Sequence, residues 1–129
     1  MKKEYTTEFL ADFGEDGKKL LPVVTQDFRT KEVLILSFIN KEAWEETLRS
    51  GYATYWSRSR NELWKKGLTS GDMLRIEEIR TNCEQNSFLF LVTPMGKGAC
   101  HAKKEDGDSH TSCYYRRLTG NGTLEFTEK

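Results

Sequence analysis

At 129 residues the chain has room for one compact domain with its own core but not for two, so residues 1–129 are read as a single domain. Its 20 basic and 20 acidic residues cancel to a formal net charge of +0, with a pI near 6.7, which argues against a nucleic-acid binder working through a broad positive field. Hydrophobic residues at 36% against 31% charged leave modest apolar area per chain and favour burial against a second copy.

No charged-then-apolar leader opens the chain, since Met1-Lys2-Lys3 runs into Glu4-Tyr5-Thr6, and no apolar stretch is long enough to cross a bilayer. The expected location is the cytoplasm, with no membrane partner. Residues 20–24 and 33–39 are rich in β-branched and aliphatic side chains, and Arg29-Thr30-Lys31-Glu32 between them suits a hairpin turn. Asn40 is a good N-cap for a helix over residues 41–50, Glu42 suits its first turn, and Gly51 can take the left-handed position after it. The stripe Ala43, Trp44, Thr47 and Leu48 is expected to lie on the sheet, with Trp44 read as core and Glu45, Glu46 and Arg49 facing water. Residues 53–56, 73–81, 87–92, 113–118 and 123–126 read as further strands, the last two joined by a Thr119-Gly120-Asn121-Gly122 turn. The fold class is therefore mainly β with one helix, α+β. Two long, polar, glycine-punctuated stretches, 57–72 and 95–112, read as loops of the kind that are either functional or disordered.

The first of these loops, with the residues leading into it, carries Trp56-Ser57-Arg58-Ser59-Arg60, then Lys66, Gly67, Thr69, Ser70 and Gly71. Arginine offers planar bidentate donors to phosphate, the hydroxyls add more, and glycine lets backbone N–H groups approach an anion. The same composition fits a solvated basic loop, and arginines interleaved with aromatics also suit stacked RNA bases. Three cysteines, Cys83, Cys100 and Cys113, match the ligand count of a catalytic zinc site that keeps a position open for water. Without a Cys-x-x-Cys pair, spacing alone favours buried structural thiols over metal ligands. His101 follows Cys100 directly; His110 is read as a loop imidazole.

Taken in order, Val33-Leu34-Ile35-Leu36, Asn40-Lys41-Glu42-Ala43, Tyr55-Trp56-Ser57-Arg58-Ser59-Arg60, Leu63-Trp64, Lys66-Gly67, Thr69-Ser70-Gly71, Gly98-Ala99-Cys100-His101 and Ser112-Cys113-Tyr114-Tyr115-Arg116 resemble phosphoribosyl-AMP cyclohydrolase. The resemblance runs from about Leu20 to about Leu118. It implies an intertwined homodimer with a barrel-like antiparallel β fold capped by a helix, and active sites at the subunit interface. It also implies a hydrolase of histidine biosynthesis that breaks the N1–C6 bond of a small nucleotide, phosphoribosyl-AMP. By that pattern Cys83, Cys100 and Cys113 match zinc ligands drawn from both subunits, His101 matches a proton-transfer residue, and the 56–60 string with Lys66, Thr69, Ser70 and Gly71 holds substrate phosphates. The chemistry is consistent: ribose on N1 makes C6 electrophilic, and a base near neutrality, about 6.5 for a histidine, can take and return the proton of an attacking water.

The chain departs from the family pattern in places. Where members commonly show Asp-Cys-Asp-x-Asp, whose carboxylates bind magnesium, this chain has Asn82-Cys83-Glu84-Gln85-Asn86, so Asn82, Glu84 and Asn86 form at best a weakened magnesium site. Thr54, Asp72 and Leu74 replace a common His, His and Gln, and Asp72 could supply a substitute carboxylate. A longer link, residues 103–109, separates Cys100 from Cys113 and reads as a solvated turn. Two other readings stay open: a divergent relative acting on another purine-like nucleotide, and a non-catalytic zinc-stabilised nucleotide- or nucleic-acid-binding module. The second predicts four filled zinc ligands and a basic surface, which the neutral charge balance does not support.

Overall fold

The computed structural model describes residues 3–67, 71–100, 104, 107 and 110–127. Strands β1 (Leu21–Asp27) and β2 (Val33–Ile39) form the expected antiparallel hairpin, pairing from Leu21 opposite Ile39 to Gln26 opposite Val33 with a shift of register between Thr25 and Gln26. Asp27 builds its turn. Its carboxylate accepts from the backbone N–H groups of Arg29 at 2.8 Å and Thr30 at 2.9 Å, which frees Lys31 to take a left-handed φ of 67°. Helix α1 (Lys41–Ser50) follows, then β3 (Thr54–Ser57), β4 (Glu62–Lys65), β5 (Leu74–Thr81), β6 (Phe88–Pro94), β7 (Arg116–Leu118) and β8 (Leu124–Phe126). The protein is mainly β with a single α-helix among the described residues, an α+β arrangement.

Four strands make one sheet in the order β2-β1-β6-β5, and β3-β4 and β7-β8 are separate hairpins. The antiparallel expectation needs correction, because β1 and β6 run parallel from Val23 opposite Phe88 to Asp27 opposite Val92. Everything from β2 to β5 lies between them in sequence, the long crossover that a parallel pair requires. Nor do the described sheets close into a barrel. The 57–72 stretch is not a continuous loop: Glu62–Lys65 pairs with β3 from Thr54 opposite Lys65 to Ser57 opposite Glu62, and Asn61 takes φ 54° in the turn.

The helix begins and ends as its sequence dictates. Asn40 Oδ1 accepts the Ala43 N–H at 2.9 Å, and Gly51 at φ 81° donates its N–H to Thr47 O at 2.9 Å. Ala43 and Thr47 are buried, but Leu48 is 56% exposed and not part of the buried stripe. Thr47 Oγ1 instead fastens the helix to β3, donating to Thr54 O at 3.1 Å and accepting the Thr54 N–H at 3.0 Å. Trp44 packs against the core as expected, in a cluster of rings with Phe9 at 5.1 Å and Phe88 at 4.8 Å. The core itself is lined by the inward faces of β1 and β6, including Val23, Phe90 and Val92. A bulge between Ile76 and Glu78 resets the alternation of β5, so Ile76 and Ile79, three apart, both reach the core.

Candidate active site

Two of the three thiols meet within one chain. The Ala99 N–H bonds Thr111 O at 3.0 Å and the Cys100 N–H bonds His110 O at 3.1 Å, folding the 95–112 stretch back on itself. The Cys113 N–H then bonds Leu34 O at 2.7 Å and Ser112 Oγ bonds Val33 O at 2.6 Å, seating this segment against β2. Cys100 is buried, Cys113 is half-buried, and their side chains share a hydrogen bond. Burial, and the Cys100 thiol beside it, push the Cys113 thiol up to about 12, while the Lys66 charge opposes the rise. Lys66 itself is only 2% exposed. Tyr55 is fully buried, its hydroxyl 2.6 Å from Thr25 Oγ1, and burial holds its phenol well above the ordinary range.

Cys83 is exposed in the turn after β5. In the sheet order β2-β1-β6-β5 that turn leaves one outer strand while Cys113 sits against the other. Three interstrand spacings amount to about 14 Å across the sheet. Among the described residues of one chain, no three of His, Cys, Asp and Glu group closely enough to hold a metal. Two soft sulfurs sharing a hydrogen bond, one buried and one half-buried, fit zinc chemically but supply only part of its ligand set. The 82–86 donors do not fit magnesium: Asn82 and Asn86 spend their amides on each other, leaving Glu84 as the single carboxylate.

A groove of about 900 Å³ opens between β2 and the β3-β4 hairpin. It is lined by Trp56, Ser57, Arg58, Ser59, Arg60 and Lys66 from the predicted string. Lys65 adds a further cation against the lone carboxylate of Glu62, so the groove is locally basic in a chain of zero net charge. Ser57 Oγ accepts the Arg60 N–H at 3.3 Å and lies 3.4 Å from Ser59 Oγ, holding the turn compact. Gly71 is not among the lining residues; its N–H closes on Gly67 O at 2.7 Å. Thr69, Ser70 and His101 lie outside the described residues.

Sequence reasoning missed the floor of this groove. Leu36, Ser37 and Phe38 of β2 line it, and Phe38 carries the Arg58 guanidinium at 4.0 Å over its ring. The available signal was β2 itself, an almost wholly apolar strand whose Leu36 and Phe38 are left outside the core that takes Leu34, Ile35 and Ile39. The departing positions are absorbed in the fold. Leu74 is buried in the core, Thr54 is tied to Thr47, and Asp72 Oδ1 accepts the Lys97 N–H at 3.0 Å. Asp72 precedes β5 and Cys83 follows it, so within one chain a strand of about 25 Å separates Asp72 from the 82–86 turn. Gly67, at φ 80°, packs so closely on the Asp72 and Met73 backbone that a Cβ would collide there. His110 is 5% exposed and stacks on Tyr115 at 3.8 Å, while the Gly107 N–H donates to Lys104 O at 3.0 Å.

No helix among the described residues is long and apolar enough to cross a membrane. The family profile described as Phosphoribosyl-AMP cyclohydrolase matches residues 35–115, the span from the groove floor through the last cysteine. The chain is 51% identical over 106 residues to the phosphoribosyl-AMP cyclohydrolase of Archaeoglobus fulgidus, covering 82% of this chain and 92% of that one. It is 48% identical over 110 residues to that of Desulfatibacillum aliphaticivorans, covering 85% and 82%. With the Hyphomonas neptunium protein of the same name it shares 44% identity over 127 residues, 98% and 89% of the two chains. A histidine biosynthesis bifunctional protein of Aquifex aeolicus is 39% identical over 109 residues, 84% of this chain and 49% of that one. The matched span contains the basic groove and all three cysteines, and the chain belongs to the phosphoribosyl-AMP cyclohydrolase family.

Proposed function

We propose that the protein is a cytoplasmic, homodimeric, zinc-dependent phosphoribosyl-AMP cyclohydrolase, each chain one domain, in which two copies complete a barrel-like assembly. The observation that carries this reading is the Cys100–Cys113 pair together with the basic groove of 56–60, linked by Lys66, which lines the groove and whose charge acts on Cys113. Cys100 and Cys113 of one copy, with Cys83 of a second copy, would hold zinc. When bound, zinc supplies a Lewis acid that eases deprotonation of water and polarises the carbon under attack.

The remaining work falls to the chain's own side chains. Arg58 and Arg60 bind the substrate phosphates, Arg58 held in place by its seat on Phe38. The groove orients the purine so that C6 faces the thiol end. Water adds to C6, the N1–C6 bond breaks, and N1 leaves with a proton, giving the ring-opened formimino carboxamide ribonucleotide. His101, next in the chain to Cys100, takes the water proton and returns it to N1. Buried Lys66, whose charge acts on Cys113, supplies a fixed positive charge against the developing negative charge of the thiols.

A second copy is supported by apolar surface that one chain leaves open. Leu118, Leu124 and Phe126 are 71%, 55% and 63% exposed on the β7-β8 hairpin, and Val24 and Leu36 form an exposed cross-strand pair on the sheet. The deciding assay follows ring opening of phosphoribosyl-AMP by ultraviolet absorbance with the zinc-loaded protein. Turnover is expected, and its absence with and without added magnesium would favour a relative acting on another purine-like nucleotide. The altered 82–86 turn is the observation behind that second reading. In the same assay Cys100→Ser is expected to leave a folded chain without turnover; unfolding instead would assign the metal a structural role.

A further inference from the structure

The turn that carries Cys83 is ordered by amide side chains. Asn82 Oδ1 accepts the backbone N–H groups of Asn86 at 2.9 Å and Ser87 at 3.0 Å, and Asn82 Nδ2 donates to Asn86 Oδ1 at 2.6 Å. The Gln85 N–H closes the same turn on Asn82 O at 3.0 Å. Gln85, 5% exposed and at φ 53°, points its own amide the other way. Its Oε1 accepts the Leu10 N–H at 2.6 Å and its Nε2 donates to Glu8 O at 3.0 Å. Phe9, between those two residues, stacks on Trp44 and lies 6.1 Å from Phe88. The Cys83 turn is thereby tied through residues 8–10 to the helix and to β6.

This arrangement is incompatible with the use to which carboxylates at the same places would be put. Clustered carboxylates repel one another and need a hard cation among them, whereas the two asparagine amides are neutral and complementary. The Asn82 oxygen already has two N–H donors, and the Asn86 oxygen accepts from the Asn82 amide nitrogen. A magnesium ion would have to displace these bonds and would gain the single charge of exposed Glu84.

We propose that this chain presents Cys83 to the shared zinc site without a second, hard divalent cation: the Asn82–Asn86 clasp shapes the turn, and Gln85 is the positioning residue that anchors it to residues 8–10. The inference rests on Cys83 being a ligand of that site. The zinc-loaded full-length protein is titrated with manganese(II), an observable stand-in for magnesium, and bound ion is counted by paramagnetic resonance. Wild type is expected to bind no manganese that Glu84→Gln abolishes. The triple variant Asn82→Asp, Glu84→Asp, Asn86→Asp is expected to gain one manganese per chain and a melting temperature that rises with magnesium. Stoichiometric manganese in wild type, lost in Glu84→Gln, would overturn the proposal.

The positioning role has its own readout. In the cobalt-substituted protein the thiolate-to-metal absorption band reports the number of sulfur ligands, and Gln85→Ala is expected to weaken it as Cys83→Ser does, with the chain still dimeric. A band unchanged by Gln85→Ala but weakened by Cys83→Ser would remove Gln85 from the proposal. If Cys83→Ser also leaves the band intact, the shared ligand set fails, while the manganese titration still decides the question of the second cation. Failure of the zinc-loaded chain to open phosphoribosyl-AMP would sink the proposed activity and leave both metal experiments standing.

Discussion

Mixing two inactive variants should restore activity if the zinc site is built across a dimer. Zinc–sulfur bonds of about 2.3 Å bring coordinating sulfurs to within about 4 Å of one another. Cys100 and Cys113 share a hydrogen bond within one chain, but Cys83 leaves the opposite outer strand of the sheet. Cys83→Ser and Cys113→Ser homodimers each lack a ligand in both sites and are expected to be inactive. In a mixed dimer, one site inherits both defects and the other inherits none. Random reassortment makes about half the dimers mixed, so the pool should recover about a quarter of wild-type turnover per chain. The variants are unfolded together, refolded with zinc, and assayed by ring opening of phosphoribosyl-AMP. Cys100→Ser mixed with Cys113→Ser supplies the control: both ligands come from the same copy, every site stays defective, and no recovery is expected. Recovery in the control, or none in the first mixture, would refute a site divided in this way.

Other substitutions test the surroundings of the site. Tyr55→Phe leaves the buried Thr25 hydroxyl without its 2.6 Å partner and should cost about 1–3 kcal/mol in urea unfolding. Adding Thr25→Val, which removes the other partner too, should cost less than the two single changes summed. Gly67→Ala should destabilise far more than Gly51→Ala in thermal unfolding: both positions sit near φ 80°, worth about 1–2 kcal/mol to an L-residue, but only Gly67 would drive its Cβ into backbone. Arg58→Ala should raise the KM for phosphoribosyl-AMP by about 10- to 100-fold, the equivalent of one charge-assisted phosphate contact at about 1.5–3 kcal/mol, with a smaller effect on kcat. Leu118→Asp with Leu124→Asp should shift sedimentation towards monomer while the chain remains folded, because both side chains are exposed in one copy.

The parts of the fold that were legible in sequence are those settled by neighbours along the chain. Asn40 and Gly51 bracket a helix whose ends need only a local acceptor and a left-handed residue, and both are found there. The β1-β2 turn rests on Asp27, within three residues of the groups it bonds. What was not legible depends on distant partners. Nothing in residues 21–27 or 88–94 announces that they run parallel, since an apolar run reads the same whichever way its neighbour points. Strand β4 is four residues long, Glu62-Leu63-Trp64-Lys65, and its alternation is hidden beside the Arg58–Arg60 charges until β3 lies across from it. Leu48 fits the helical stripe by spacing, yet β3 is secured through the Thr47 hydroxyl instead, and Leu48 stays in solvent.

At the site the division runs along the same line. The Trp56-Ser57-Arg58-Ser59-Arg60 string could be read directly, because consecutive residues in a turn share one groove. The pairing of Cys100 with Cys113 could not, since it depends on two backbone bonds between 99–100 and 110–111 that residue spacing does not encode. The 82–86 turn is the sharpest case. Judged by the carboxylates it lacks, Asn82-Cys83-Glu84-Gln85-Asn86 is a weakened metal site; judged by what amides can do, it is a turn with its own closure. An amide carries both a donor and an acceptor, so Asn82 can bond a backbone N–H and a side-chain oxygen together, which no carboxylate can do without a proton or an ion. Loss of charge at these positions therefore leaves the turn ordered, and the presentation of Cys83 no longer depends on a cation beside it.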